Sequence, residues 1–123
     1  MIRQAIKSLM LPSNSYQSKN VLITGGATGI GLTLAQSYAN LGANVLICSR
    51  NEERLKEASN THENISYKIL DVRDLKGVEA MAAELTEKKA LPDVVINNAA
   101  VSYKTNFKNR TGEELKETVD INL

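Results

Sequence analysis

Residues 24–31, with the sequence TGGATGIG, constrain the fold more than any other part of the chain. They follow the apolar run VLI at 21–23, which is typical of a buried parallel strand. They lead into apolar residues with helical spacing, which predict an amphipathic helix: Ile30, Leu34, Tyr38 and Leu41. Gly42 then ends the predicted helix as its C′ residue. The glycines therefore lie in a turn between a strand and a helix.

A glycine-rich turn of this kind is a place where proteins bind the pyrophosphate of a nucleotide. The first N–H groups of the helix are unpaired there and carry the positive end of its dipole. In this interpretation Gly25 allows the sharp turn, Gly29 lets the backbone approach a phosphate, and Gly31 lets the helix pack close to the strand. The alternative is an ordinary flexible turn, and the flanking strand and helix favour nucleotide binding over it. No Lys follows the last glycine, which argues against the phosphate loop of nucleoside triphosphate-binding proteins.

The rest of the chain alternates between strand and helix patterns. Short apolar runs predict three further strands, at 45–48, 65–70 and 94–96. Helices are predicted to begin after the capping residues Asn51, Asp74 and Thr111, and Glu114 completes a capping box with Thr111. The order βαβαβαβα predicts an α/β protein with a doubly wound, Rossmann-like parallel sheet that is incomplete at its C-terminus. Right-handed crossovers would place a nucleotide at the C-terminal ends of the strands.

Charge and composition argue against several classes of partner. The 123 residues contain 15 Lys and Arg and 14 Asp and Glu, so the overall charge does not indicate nucleic acid. No apolar run approaches the roughly 18 residues of a membrane span, and no metal site is predicted. No acid occurs before Glu52, which suits an anionic cofactor. Cys48 lies in an apolar strand and is interpreted as a buried filler, and a single cysteine fits a reducing compartment.

Residues 1–18 form an extension before the first predicted strand, and residues 19–123 form the predicted nucleotide-binding domain, truncated at its C-terminus. The extension is basic, free of acids and amphipathic up to Met10. This pattern resembles a mitochondrial transit peptide. The alternative is a helical extension that frays or packs on the domain. If the segment is only an extension, the sequence predicts a cytoplasmic protein. If it is a transit peptide, the alternative is a mitochondrial protein.

The end of the second predicted strand indicates which dinucleotide binds. Sites for NAD place an acid about 20 residues after the glycines, where it binds the 2′-hydroxyl of the ribose. Here the sequence at 48–51 is CSRN and contains no acid. Ser49 can hydrogen-bond a 2′-phosphate and Arg50 can pair with it as a planar fork, which favours NADP(H) over NAD(H). The alternative is that Arg50 is a solvated loop residue and Glu52 contacts the ribose.

Two motifs together make the chain similar to the short-chain dehydrogenase/reductase family. TGGATGIG resembles the family's TGxxxGxG turn, and NNAA at 97–100 resembles the NNAG stretch that follows its fourth strand. Ala100 stands where the family usually has Gly. The resemblance covers residues 19–123. It implies cofactor contacts from the glycine turn, from the end of the third strand and from the second motif: Thr24, Gly25, Gly29, Ile30, Gly31, Asp71, Val72, Asn98, Ala99 and Ala100.

Several of these contacts also have an interpretation from the residues alone. In the family, an acid at the position of Asp71 meets the adenine amino group, and the backbone of its neighbour Val72 lines the ring. Without the resemblance, Asp71 could equally be a turn residue. The small residues at 97–100 would let the backbone approach a ribose closely, whereas the alternative is a plain Asn-rich turn. A basic residue just after the second strand, as Arg50 is, resembles the NADP-preferring members of the family.

Asn122 is the candidate catalytic residue. It lies on one face of the last predicted helix with Leu115 and Val119, where a solvated amide is not expected. A buried Asn needs hydrogen-bond partners, so Asn122 could be a core residue bonded to nearby backbone. The resemblance implies instead that it helps to hold a water in a proton relay.

The resemblance implies an oxidoreductase that transfers a hydride between nicotinamide and a carbonyl or alcohol substrate, in a parent enzyme expected to be a homo-oligomer. The family's reaction uses a Ser and a Tyr-x-x-x-Lys pair, in which the Tyr is the general acid/base. Lys does not occur four residues after any tyrosine of this chain, namely Tyr16, Tyr38, Tyr67 and Tyr103. We therefore expect the cofactor-binding part of a longer enzyme, inactive alone. The alternatives are a non-catalytic dinucleotide-binding module and, disfavoured by the two motifs, another nucleotide-binding α/β protein such as a methyltransferase.

Overall fold

In the part of the chain that the structure describes, four parallel strands form one sheet in the order β3-β2-β1-β4. The computed structural model describes residues 15–104 and 106–123, so the predicted amphipathic segment before residue 15 lies outside them. The strands are β1 Asn20–Thr24, β2 Asn44–Ser49, β3 Ile65–Ile69 and β4 Val94–Asn97. The helices are α1 Gly29–Asn40, α2 Glu52–Ser59, α3 Leu75–Glu87 and α4 Gly112–Asn122, with a short 3-10 helix at Phe107–Asn109. The predicted alternation of strands and helices is confirmed.

Strand β1 is an inner strand of the sheet, because it pairs with β2 on one side and with β4 on the other. The chain builds outward from β1 through β2 to β3 and then returns to the opposite side of β1 for β4. The order therefore reverses beside β1. In open parallel sheets, ligands bind in the crevice outside the C-terminal ends of the strands at such a reversal. The doubly wound sheet is confirmed, and its binding edge lies between the ends of β1 and β4.

Helix α1 packs on the sheet through small residues rather than through the predicted apolar face. Its buried residues are Gly31, Ala35 and Ala39. Leu34 and Tyr38 pack at the margin of the core, as predicted. The prediction was wrong for Ile30, whose side chain is 74% exposed. Small side chains let the helix backbone come close to the strands, so the face with these small residues is the one that packs on the sheet. Ile30 lies outside that face, at the exposed start of the helix.

Helix α3 covers the other face of the sheet through Met81, which is buried with Leu22, Cys48 and Leu70. Helical spacing in the sequence predicts that α3 packs through an apolar stripe of Leu75, Val78, Met81, Ala82 and Leu85. This prediction is only partly correct, since Leu75 at the start of the helix is 68% exposed and Ala82 is also exposed. Cys48 is buried, as predicted, and burial raises the pKa of its thiol to about 11. The thiol therefore stays protonated and serves as core packing.

The predicted ends of the helices are largely confirmed. The Asn51 side chain accepts a hydrogen bond from the Arg54 backbone N–H at 3.0 Å and so caps α2. Thr111 and Glu114 form the reciprocal capping box of α4, at 3.1 and 2.9 Å. Gly42 follows α1 with a φ of +86°, the left-handed conformation expected at C′. Asp74 occupies the N-cap position of α3, but its side chain makes no capping hydrogen bond.

The last residues of the extension contact the domain. The ring of Tyr16 packs edge-on against Tyr38, with 5.0 Å between the ring centres. The Ser18 backbone N–H donates to the Gly42 carbonyl at 3.0 Å. The chain is therefore held against α1 before β1 begins. Over the described residues, no helix has both the length and the apolar character needed to cross a membrane.

Gly31→Ala is expected to destabilise the protein by about 1–3 kcal/mol, the usual effect of overpacking. A Cβ at this position would lie 2.2 Å from the carbonyl oxygen of Gly25, so α1 would have to move away from β1. Gly112→Ala is the matched control, because a Cβ there meets nothing within 4 Å and the residue starts a helix. The control should be neutral or stabilising by up to about 1 kcal/mol. Urea unfolding of both variants measures the difference, and equal stabilities would contradict the close packing.

Candidate functional site

A cavity of about 240 Å³ lies at the C-terminal ends of the strands. All four strands contribute residues at or just after their C-terminal ends. They are Gly25, Ala27 and Thr28 after β1, Ser49 as the last residue of β2 with Arg50 and Asn51 after it, Leu70, Asp71 and Val72 after β3, and Ala99, Ala100 and Val101 after β4. The cavity therefore occupies the edge at which the strand order reverses.

The structure brings together seven of the predicted cofactor residues in the wall of this cavity: Gly25, Ser49, Arg50, Asp71, Val72, Ala99 and Ala100. The other predicted residues do not line it: Thr24, Gly29, Ile30, Gly31, Asn98 and Asn122. Sequence reasoning missed Arg54 and Ile121, which do line it. The cap at Asn51 is a signal that could have found Arg54, since it fixes the first turn of α2 beside the end of β2.

Thr24 and Asn98 join the ends of β1 and β4 behind the cavity. The Thr24 hydroxyl oxygen accepts hydrogen bonds from the backbone N–H groups of Asn98 and Ala99, both at 3.1 Å. The Asn98 side-chain amide donates in return to the carbonyls of Thr24 and Gly25, at 3.2 and 3.1 Å. Thr24 is only 9% exposed. These two residues therefore hold the glycine turn against the NNAA segment, and their polar groups are already used within the protein.

The three glycines of the turn have different surroundings. Gly25 has a φ of +65°, and a Cβ there would lie 2.9 Å from the Cα of Ala99. Gly31 lies so close to the Gly25 carbonyl that a Cβ on it would be 2.2 Å from the oxygen. Gly29 has a φ of +55° and open space where a Cβ would stand. The first two glycines thus allow backbone segments to meet, whereas Gly29 leaves its side of the turn clear.

Helix α1 begins at this turn with its N-terminus unblocked. The Thr28 side chain makes no capping hydrogen bond, and the first turn contains no acid. Its first N–H groups have no partner within the helix, and the positive end of the helix dipole is not compensated by a nearby carboxylate. Gly29, Ile30 and Gly31 supply these N–H groups. The arrangement is suited to an anion, although the structure does not place these residues in the cavity wall.

The Ser49 hydroxyl is a buried polar group without a partner. Its oxygen makes no hydrogen bond with any of the residues 15–104 and 106–123. Its neighbour Arg50 is half exposed and donates from Nη1 to Glu117 Oε1 at 3.1 Å. Buried hydroxyls are usually paired in proteins, so one left free in a cavity wall is a place for a ligand atom.

Asp71 is paired with Arg73. The two carboxylate oxygens of Asp71 accept from the Arg73 guanidinium at 2.6 to 3.1 Å. These hydrogen bonds, against a smaller opposing effect of burial, lower the pKa of Asp71 to about 2. Asp71 is therefore ionised at neutral pH, and any ligand contact it makes must share the carboxylate with Arg73.

Glu117 on α4 joins Arg50 and Arg73. Its Oε1 lies 3.1 Å from Arg50 Nη1 and 3.3 Å from Arg73 Nη1, and its Oε2 accepts from the Tyr103 hydroxyl. The hydrogen bonds from Tyr103 and then from Arg50 lower the pKa of Glu117. The same contact with Glu117 raises the pKa of Tyr103. The sequence carries no signal for this cluster, because Glu117 lies 67 residues from Arg50 and 44 from Arg73.

The Asn122 side chain is hydrogen-bonded to the protein backbone. The sequence predicted that it would be buried, but it is exposed. Its Oδ1 accepts from the Val101 N–H at 2.8 Å, and its Nδ2 donates to the Val101 carbonyl at 3.0 Å. Asn122 is exposed, and Leu115 and Val119 on the same face are 36% and 55% exposed. The prediction of burial was wrong because none of the described strands or helices packs closely on this face of α4. The two hydrogen bonds between the Asn122 side chain and the Val101 backbone nevertheless fix the segment that follows the NNAA motif.

A parallel sheet in the order 3-2-1-4, with a glycine turn after β1 and a cavity at the reversal, defines a Rossmann-like dinucleotide-binding protein. Comparison with known proteins gives the family. The model of the family described as short chain dehydrogenase matches residues 19–123. The chain belongs to the short-chain dehydrogenase/reductase family.

Curated relatives are similar over part of their length. The uncharacterized oxidoreductase DltE of Bacillus subtilis is 39% identical over 106 residues, which cover 86% of this chain and 42% of that protein. The NADPH-dependent pterin aldehyde reductase of Arabidopsis thaliana is 31% identical over 110 residues, covering 86% of this chain and 46% of that protein. The chain thus spans less than half the length of these two relatives.

Solved structures of the same fold include complexes with either nicotinamide cofactor. A short-chain dehydrogenase from Leptospira borgpetersenii with bound NAD+ has a TM-score of 0.82 at 31% identity, covering 92% of this chain and 43% of that chain. A variant actinorhodin polyketide ketoreductase with NADPH has a TM-score of 0.79 at 29% identity, covering 86% and 42%. The family therefore binds a nicotinamide cofactor, and its neighbours include both forms.

Thr24→Val is expected to destabilise the protein by about 1–3 kcal/mol, because it leaves the part-buried N–H groups of Asn98 and Ala99 without their acceptor. Thr24→Ser is the matched control, since it keeps the hydroxyl and loses one methyl group, worth about 0.8 kcal/mol. Urea unfolding compares the two variants. A Val variant as stable as the Ser variant would show that the hydroxyl does not join the two strand ends.

Arg73→Ala is expected to raise the pKa of Asp71 from about 2 toward its ordinary value of 3.8. Because the folded-state pKa is the lower one, the pairing stabilises the fold above the ordinary value and is lost as the pH falls toward about 2. NMR titration of the Asp71 carboxyl carbon measures the shift. Lys88→Ala is the control, because it removes a partner of Glu84 and should leave Asp71 unchanged. An unchanged Asp71 pKa in Arg73→Ala would contradict the assignment of the cause.

Proposed function

We propose that residues 19–123 are the cofactor-binding part of a longer NADP(H)-dependent oxidoreductase. The enzyme would transfer a hydride between nicotinamide and the carbonyl or alcohol carbon of a small-molecule substrate. The observation that carries the choice of NADP(H) is the free Ser49 hydroxyl beside Arg50 in the cavity wall. The partial coverage of the relatives supports a longer parent protein.

The end of β2 is suited to a 2′-phosphate. A buried hydroxyl without a partner costs free energy, and a phosphate oxygen would accept a hydrogen bond from it. Arg50 lies next to it, and Arg54 lines the same cavity from the first turn of α2. Guanidinium groups bind phosphate through short, charge-assisted hydrogen bonds. The acid that would bind the free 2′-hydroxyl of NAD is missing at 48–51.

The glycine turn and the start of α1 are suited to the pyrophosphate. The N–H groups of Gly29, Ile30 and Gly31 lie at a helix N-terminus without a competing carboxylate, and the open side of Gly29 leaves room for an anion. When bound, nicotinamide supplies the hydride chemistry, and the protein supplies position and polarity. We propose that Ala99 and Ala100 let the backbone approach a ribose. Asp71 would meet the adenine amino group, and the Val72 backbone would line the adenine ring.

Asn122 is proposed to help hold a water in a proton relay. Its amide fixes the Val101 backbone at the cavity wall, which leaves the end of the helix in a defined position. The general acid/base is not among the tyrosines of this chain, because none has the Lys four residues later. We therefore propose that the chain alone binds cofactor without turnover. The same observation favours the second candidate, a non-catalytic dinucleotide-binding module.

The compartment and assembly are part of the same proposal. We propose that residues 1–18 are an extension to the nucleotide-binding domain, in a cytoplasmic protein or, if the extension is a transit peptide, a mitochondrial one. The contacts of Tyr16 with Tyr38 support an extension whose last residues pack on the domain. The parent enzyme is proposed to be a homo-oligomer that acts on a small molecule.

Arg50→Ala is expected to weaken NADPH binding about tenfold and to leave NADH binding nearly unchanged. A charge-assisted hydrogen bond is worth about 1.5–3 kcal/mol, and each 1.4 kcal/mol is tenfold, so the half-exposed Arg50 should give a value at the low end. Ser49→Asp should reverse the preference, because it repels the phosphate and offers an acceptor to the 2′-hydroxyl.

Titration of both cofactors at fixed salt measures these changes. Lys88→Ala is the control, since it removes one positive charge after the C-terminal end of α3, away from the cavity wall. Equal losses of NADPH and NADH affinity in Arg50→Ala would mean that Arg50 only supports the loop, and the choice of NADP(H) would be wrong.

A further inference from the structure

We propose that Glu117 is a specificity-determining residue of the cofactor site. In the cofactor-free protein its carboxylate forms an ion pair with the Arg50 guanidinium, which would otherwise be free to bind a 2′-phosphate. Glu117 thereby weakens the binding of 2′-phosphorylated nucleotides selectively. The proposal rests on the proposed function, because it assumes that Arg50 faces the 2′-phosphate.

The contacts of Glu117 give it this position. It reaches across from α4 to the end of β2, where its Oε1 pairs with Arg50 Nη1 at 3.1 Å. The same oxygen lies 3.3 Å from Arg73 Nη1, and the other oxygen accepts from the Tyr103 hydroxyl. The Glu117 side chain is 26% exposed, about half as much as that of Arg50 at 50%. Glu117 is thus held by three partners, and one of them is the proposed phosphate ligand.

The balance of charge determines the sign of the effect. Arg50, Arg73, Glu117 and Asp71 carry two positive and two negative charges, so the cluster is neutral before a nucleotide binds. A 2′-phosphate brings further negative charge to Arg50, close to the carboxylate that already accepts from its Nη1. The phosphate must therefore share Arg50 with Glu117 and is repelled by it. Without the Glu117 charge, the same cluster would present one net positive charge to the phosphate.

Other charged groups near the cluster do not cancel this effect. Arg54 lines the same cavity and attracts a phosphate whether Glu117 is charged or not. Asp120 lies on α4 and pairs with Lys116. Tyr103 remains a neutral donor, since contact with Glu117 raises its pKa. The change from Glu to Gln at 117 therefore alters one charge at Arg50 and keeps an acceptor for Tyr103.

The test uses two probes that differ only by the 2′-phosphate, adenosine 2′,5′-bisphosphate and 5′-AMP. Dissociation constants are measured by calorimetry at fixed salt for the wild type and for Glu117→Gln. Exposed ion pairs contribute roughly 0.2–1 kcal/mol, so Glu117→Gln should bind the bisphosphate about 1.4- to fivefold more tightly. Binding of 5′-AMP should not change. A residue that merely supports the fold would shift both probes together.

Glu113→Gln is the matched control. Glu113 lies in the first turn of the same helix, and its substitution removes the same charge without touching Arg50. It should leave the ratio of the two dissociation constants unchanged. The gain in Glu117→Gln should also shrink as salt is raised, because screening weakens repulsion between partly exposed charges. An equal gain in both variants would overturn the proposal in favour of a general charge effect.

A double-mutant cycle separates the role of Glu117 from the proposed function. In an Arg50→Ala background, Glu117→Gln should lose its effect on the bisphosphate, because the shared partner is gone. The same gain in both backgrounds, no gain, or a weaker binding of the bisphosphate in Glu117→Gln would overturn the proposal. If Arg50→Ala alone fails to weaken the bisphosphate relative to 5′-AMP, the proposed function fails as well. A selective loss in Arg50→Ala without any effect of Glu117→Gln would sink only the role of Glu117.

Discussion

The hydrogen bonds between the ends of β1 and β4 hold the site together. Thr24 and Asn98 exchange side-chain hydrogen bonds with each other's backbone at the part-buried ends of the two strands, where leaving a polar group without its partner costs free energy. This joint places the glycine turn against the NNAA segment and lets Gly25 approach Ala99. Residues that follow the two strands line the cavity, with Ala27 and Thr28 after β1 and Ala100 and Val101 after β4.

Positive electrostatic potential near the cavity has two sources. One is the backbone at the start of α1, and the other is an arginine side chain at the end of β2. At the start of α1 the potential comes from unpaired N–H groups and the helix dipole, with no acid in the first turn to offset it. At the end of β2 it comes from Arg50, whose charge is already shared with Glu117. The first belongs to the backbone and persists under most side-chain changes. The second depends on one carboxylate that reaches over from α4, so single substitutions can tune it.

The sequence predicted correctly those features that depend on residues close together in the chain, and it predicted less well those that depend on distant residues. The caps at Asn51 and Thr111 and the C′ residue Gly42 were predicted correctly, because each involves residues close together in the chain. The strands were found to within a residue or two, because short apolar runs between turn residues are local as well. The face of α1 was predicted less well: hydrophobicity pointed to Ile30, whereas close packing of the backbone selected the small residues beside it.

The sequence by itself determined the family, the parallel α/β order and the residues at the end of each strand, since local pattern and two motifs are enough for these. Only the tertiary structure decided which of those residues share a cavity and which lie behind it, as Thr24 and Asn98 do. It also decided that Asn122 is exposed and hydrogen-bonds the Val101 backbone, and that Glu117 pairs with Arg50. These contacts join residues 21 to 75 positions apart, and no periodicity or spacing in a single chain records which distant side chains will meet.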